Sequence, residues 1–137
     1  MLTYTDLAVT TAEALAYMAS RGLTGWPYAE TDQTAALRRG QDYIAREYNG
    51  KWSDEWTDAP DVVKNAIFEA ALVEAGSPGV LSPMVKATDA KVLTSVGSIS
   101  WTPVGGSYGA DALKPRLLHV EAMLRTVTTS TRWVARA

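Results

Sequence analysis

Between Ala59 and Ala75 the chain carries apolar residues on two helix faces at once. Val63, Ala66, Ile67, Ala70 and Val73 make one stripe, and Phe68, Leu72 and Ala75 make another. A helix that must bury two faces belongs in the middle of a bundle. Pro60 suits its first turn and Asp61 its positive end. The small residues Ala66, Ala70 and Ala71 let a neighbouring helix approach closely. Before it, residues 31 to 48 read as a second long helix, with Leu37, Gly40, Ile44 and Tyr48 on one stripe and Tyr43 at its edge. Thr31, Asp32 and Thr34 are its candidate caps. Arg38, Asp42 and Arg46 stand four residues apart and can pair along it. Asn49-Gly50 suits a left-handed helix end.

The rest of the chain is organised around this pair. Thr10-Thr11-Ala12-Glu13 is a capping box for a first helix carrying Leu15, Ala16, Met18, Ala19 and Gly22, which Gly22 and Gly25 stop. The loop with Trp26-Pro27-Tyr28 is expected to pack through its aromatics. A tryptophan-rich loop, 51 to 58, joins the two long helices. Gly76-Ser77-Pro78-Gly79 breaks the helical pattern. From Met84 to Pro103 the residues are strand-like, with Gly97 at a bulge or turn. Two strands alone are marginal in water, so such an arm must pack on helices or on a neighbouring chain. A last helix is expected from Ala112 or Pro115 to Arg125, with Leu113, Leu117, Val120 and Leu124 on its stripe. The fold expected is mainly α: a small bundle of about four helices with an inserted β-hairpin or extended arm. Residues 1–125 form the domain, with the arm at about 85–103, and 126–137 form an extended C-terminal tail.

The chain has 137 residues, 47% of them hydrophobic and 20% charged, which suits one globular domain. It contains no cysteine, which excludes disulfides, thiol catalysis and thiolate zinc sites. Net charge is -2, without the basic excess of a free duplex-DNA binder. The average hides an asymmetry: residues 1–75 carry 12 acids and 6 bases, whereas residues 114–137 carry five bases and one acid. An acidic body with a basic tail suits electrostatic docking to an acidic partner, although solvated surface charge gives the same pattern. No apolar run of membrane-spanning length is present, and residues 1–6 do not resemble a signal peptide, so the expected location is the cytosol or a particle assembled there.

No catalytic motif is found: no GxSxG, no Walker sequence and no HExxH. The single histidine, His119, falls mid-helix beside Leu117 and Val120 and reads as structural. Asp54, Glu55, Asp58 and Asp61 lack the frame of a calcium loop. No enzyme activity, metal or cofactor is expected. Five tryptophans could stack bases, but Trp52 and Trp56 stand among acids that repel phosphate. Only Trp133 is flanked by arginine, so core and interface roles are expected for the other four.

Residues 35–44 (AALRRGQDYI), 48–52 (YNGKW), Ala59-Pro60, 63–66 (VKNA) and 69–72 (EAAL) resemble the head–tail connector, or adaptor, proteins of long-tailed bacteriophages and gene transfer agents. Similar sequences are also described as DnaT-like single-stranded-DNA-binding proteins. Val85-Lys86, Lys91-Val92 and 96–101 (VGSISW) resemble the family's hairpin, and Leu113, Pro115, Leu117 and Leu118 its last helix, so the resemblance runs over roughly residues 4–125. One departure is Gly40, where relatives tend to carry alanine; glycine there is expected to weaken the helix slightly.

The resemblance implies a structural virion protein at the head–tail interface, assembled in the host cytoplasm. It implies a ring, typically of twelve copies, that docks on the portal protein and meets a tail-proximal stopper or tail-terminator protein. Genomic double-stranded DNA would pass through its lumen without being read, and no membrane is involved. The portal-docking residues would be Arg132, Trp133, Val134 and Arg136, and the arm residues at the subunit interface Val92, Val96, Ile99 and Trp101. The alternative reading is a replication-type module that binds single-stranded DNA.

Overall fold

Thr10 opens the first helix as the capping box predicts. Its hydroxyl accepts from the Glu13 amide at 3.1 Å, and Glu13 accepts from the Thr10 amide at 3.0 Å. This helix, α1, spans Thr11–Ser20 in a computed structural model that describes residues 1–83, 95–96, 99–100 and 115–129. Gly22, at φ 62°, ends it: its amide donates to Ala19 and the Leu23 amide to Met18, which satisfies two carbonyls of the last turn. The buried stripe is Ala14, Tyr17 and Met18, whereas Leu15 is 52% exposed. The predicted stripe was rotated because Tyr17 buries its ring while its hydroxyl reaches a polar partner.

Helix α2 spans Glu30–Tyr48 and helix α3 spans Asp61–Gly76. None of Thr31, Asp32 or Thr34 caps α2; its cap position is Ala29, with no side-chain bond. Gln33 secures this end instead, donating to the carbonyls of Pro27 and Tyr28. That leaves Trp26 half-buried and Tyr28 fully exposed in the preceding loop. Asn49 keeps right-handed helical geometry, and neither it nor Gly50 is left-handed. The expected Arg38–Asp42 pair does not form: Arg38 Nη1 and Asp42 Oδ1 are buried without a hydrogen-bond partner among the described residues.

Helix α3 is central, packing against α1, α2 and the last helix, α4, which spans Leu118–Leu124. Residues 115–117 precede α4 in non-helical geometry, so it starts later than expected, while 112–114 lie outside the described residues. Leu37 and Ile44 of α2 and Val63, Ile67 and Ala70 of α3 are fully buried, as are Val120 and Leu124 of α4. The closest approach is at Gly40. A Cβ there would lie 2.7 Å from the Ala71 nitrogen and 2.9 Å from the Ile67 carbonyl oxygen. Glycine is therefore required by packing and is not merely a weak point in the helix. Among the described residues the chain is mainly helical, with four helices.

The chain divides into two units, Met1–Gly79 with Leu117–Ala137, and Val80–Arg116. In the second, β1 (Ser95–Val96) pairs antiparallel with β2 (Ile99–Ser100), with Val96 opposite Ile99. This is the core of the predicted hairpin, with two residues, 97 and 98, between the strands. The remainder of the expected arm, including Val92 and Trp101, lies outside the described residues.

Candidate docking site around Asn49

Two side-chain amides on α2, Gln33 and Gln41, and a third at its C-cap, Asn49, hold non-helical chain against the bundle. Gln33 holds the loop before the helix, as described above. Gln41 is fully buried: its Nε2 donates to the carbonyls of Thr3 and Asp6, and its Oε1 accepts from the Ala8 amide at 2.8 Å. Asn49 donates to the Leu2 carbonyl and accepts on Oδ1 from both the Leu2 amide and Trp52 Nε1. One amide thus ties the N-terminal segment and the tryptophan loop to the end of α2. Each donor and acceptor buried this way must be matched, so the three segments are fixed in register.

The tryptophan loop in turn holds the C-terminal segment. Trp52 and Thr128 form an antiparallel bridge. The Ser53 amide donates to the Val127 carbonyl at 3.0 Å, and the Thr129 amide donates to the Lys51 carbonyl at 2.7 Å. The hydroxyls of Ser53 and Thr129 donate to the same two carbonyls. Residues 127–129 are therefore anchored on the body.

The aromatics here pack on one another. Trp52 stacks on Tyr48 with ring centroids 6.1 Å apart and meets Trp56 edge-on at 5.5 Å. Lys51 Nζ lies 5.6 Å from the Tyr48 ring centroid. Trp52 and Trp56 are both half-buried. Next to Trp56 is a recess of about 460 Å³ between the N-terminal segment and the loop entering α3, lined by Thr3, Asp6, Trp56, Asp58 and Lys64 among others. Lys64 pairs with Glu13 at 3.1 Å. Burial works to raise the Glu13 pKa, but hydrogen bonds from Lys64 and Thr10 outweigh it and hold the carboxyl below its ordinary value.

A second polar cluster links α1, α3 and α4. Tyr17 donates to Glu69 Oε1 at 3.0 Å, and His119 Nε2 lies 3.6 Å from Glu69 Oε2. Burial, reinforced by the Glu69 carboxylate, pushes the Tyr17 phenol up to about 12. The Arg21 guanidinium lies over the Tyr17 ring at 4.0 Å. His119 is exposed, and the carboxylate beside it belongs to a glutamate fifty positions away in sequence. Tyr43 is likewise raised, first by burial and then by the carboxylates of Glu47 and Glu121.

Of the residues singled out in the sequence, Asp54, Glu55 and Asp58 lie exposed along the loop and Asp61 opens α3. Among the described residues no three acidic or imidazole side chains come together as a metal site. Arg132, Trp133, Val134 and Arg136 lie outside the described residues, and Val96 and Ile99 are placed only as backbone partners. Gln33, Gln41 and Asn49 carry much of this geometry and have no periodic signature. Asn49 alone stood out, as a helix-end residue.

Among the described residues no helix is long and apolar enough to cross a membrane. No curated protein and no solved structure matches the chain. Residues 5–59, which carry α1, α2 and the tryptophan loop, match the family described as "Putative DnaT-like ssDNA binding protein".

Proposed function

We propose that the chain is a head–tail adaptor: copies form a ring on the portal, join the DNA-filled capsid to the tail, and let DNA pass without reading it. The observation that carries this reading is the anchored exit of the C-terminal segment. Residues 127–129 are bonded to the tryptophan loop, so the arginines at 132 and 136 and the tryptophan at 133 start from a fixed point. A docking peptide with one fixed end loses less freedom when it binds. The acidic body supports the same reading, because a lumen that lets DNA slide must not bind phosphate. The paired strands at 95–100 give the arm a local structure that could add to a neighbour's edge. In this reading the chain performs no chemistry and needs no cofactor. Its location is the virion.

Electron cryo-microscopy of particles that contain the chain tests this. The expected result is a ring of it between portal and tail, with residues 130–137 reaching the portal. Absence of the chain from such particles would overturn the reading. So would normal portal docking by a chain lacking residues 130–137.

The family match over residues 5–59 favours a second reading, binding of single-stranded DNA. Against it, Trp52 spends its indole nitrogen on Asn49 and packs between Tyr48 and Trp56, and Trp56 stands beside Asp58 in the recess, where a carboxylate repels phosphate. Base stacking needs a free ring face and nearby cations. Titration with single-stranded DNA at about 50 mM salt decides: this second reading requires tryptophan quenching that falls steeply as salt rises.

A further inference from the structure

We propose that the recess beside Trp56 is a binding site for an arginine side chain, and that in the free protein its occupant is the segment 130–137 of the same chain. The recess has the chemistry that recognises a guanidinium. Trp56 supplies an aromatic wall, and Asp6 and Asp58 supply carboxylates. Arginine is the side chain that uses both, stacking through its planar face and donating through its fork. Two lining residues carry cations: Lys64 is bonded to Glu13, and the Met1 ammonium forms no ion pair with either acid among the described residues, so neither neutralises Asp6 or Asp58 by direct contact. Asp58 has no ion-pair partner among the described residues, and Asp6 accepts from neighbouring Thr5 at 3.4 Å. The volume, about 460 Å³, falls within the usual size of ligand clefts.

The occupant follows from where the described chain stops. The bridge is antiparallel, so the C-terminal segment passes Ser53 at Val127 and Lys51 at Thr129. That direction leads toward Asn49, whose side chain holds Leu2, itself part of the recess wall. Eight further residues can span up to about 26 Å at ~3.3 Å each. They carry Arg132 and Arg136 and no acid, and they leave a body whose residues 1–75 are acidic by six charges. A tethered ligand this close has an effective concentration of about millimolar, so modest affinity fills the site. The adaptor reading is not needed for this inference, and neither portal nor DNA enters its test.

The test is limited trypsin digestion of the full chain, following cleavage after Arg132 and Arg136 by mass spectrometry. The unmodified chain should be cut slowly there. Asp6→Asn/Asp58→Asn, which alters two exposed side chains, should be cut about tenfold faster, as expected if one charge-assisted contact is lost. Protection should not change on dilution. Equal rates in the two proteins would overturn the proposal, and protection lost on dilution would replace the tethered occupant with a second copy. Independently, Arg132→Gln/Arg136→Gln should speed amide exchange at residues 1–8 and 56–59; unchanged exchange there would also overturn it.

Discussion

Gly40 faces the backbone of Ala71 with no room for a methyl group: a Cβ would sit 2.7 Å from the Ala71 nitrogen and 2.9 Å from its Cα. Backbone cannot move aside as a flexible side chain can. Gly40→Ala gains about 1 kcal/mol of helix propensity. Overpacking at a helix–helix contact costs about 1–3 kcal/mol. The expected outcome is a net loss, read as a lower urea midpoint with an unchanged slope. A variant as stable as the parent would show that α2 and α3 can separate freely.

Gln41→Ala leaves the Ala8 amide and the carbonyls of Thr3 and Asp6 without their partner. The loss expected is about 1–3 kcal/mol. It should come with faster amide exchange at Ala8, while α3 keeps its protection relative to global unfolding. Exchange at Ala8 that stays as slow as in the parent would mean that other contacts hold the N-terminal segment.

Alkaline pH should weaken the fold through Tyr17. Its folded value is raised to about 12 from an ordinary value near 10, so the folded state holds the proton more tightly. That stability is complete below pH 10 and is lost as pH rises toward 12, by up to about 2–3 kcal/mol. Tyr17→Phe should lack this alkaline decline. Parallel stability curves for the two proteins from pH 9 to 11.5 would refute the assignment.

Acid acts through Glu13 in the opposite sense. Its folded value is depressed, so its contribution is present above the ordinary value of 4.5 and fades as pH falls through the folded value. Glu13→Gln should flatten the acid limb of the stability curve. The same steepness in both proteins would place that limb elsewhere.

Thr129→Pro removes the amide that donates to Lys51. The helical body should keep its circular dichroism, while amide exchange at Ser53 speeds up. If Ser53 stays protected, the bridge does not depend on its outer bond.

The helices were legible because their signals are local. The capping box at Thr10 and the glycine at 22 act within one turn of chain, and the two-faced pattern of α3 repeats within sixteen residues. Leu15 misled because α1 is short, and Tyr17 hides a polar tip behind an apolar ring. The hydrogen-bonded cluster around Asn49 was not legible, since its parts meet only in the fold. Asn49 joins Leu2, 47 positions away, and Ser53 meets Val127, 74 positions away. A glutamine or asparagine on a helix reads as surface until its partners are known.

The bridge between 51–53 and 127–129 also sets how the body answers a mechanical load. Its hydrogen bonds run across the paired strands. Tension along the C-terminal segment therefore shears both backbone bonds together instead of peeling them apart one at a time. The load then passes through Trp52 and the Asn49 amide into α2, the longest helix described. A pull on the last residues would be borne by the spine of the bundle, not by the short helix that precedes them in sequence.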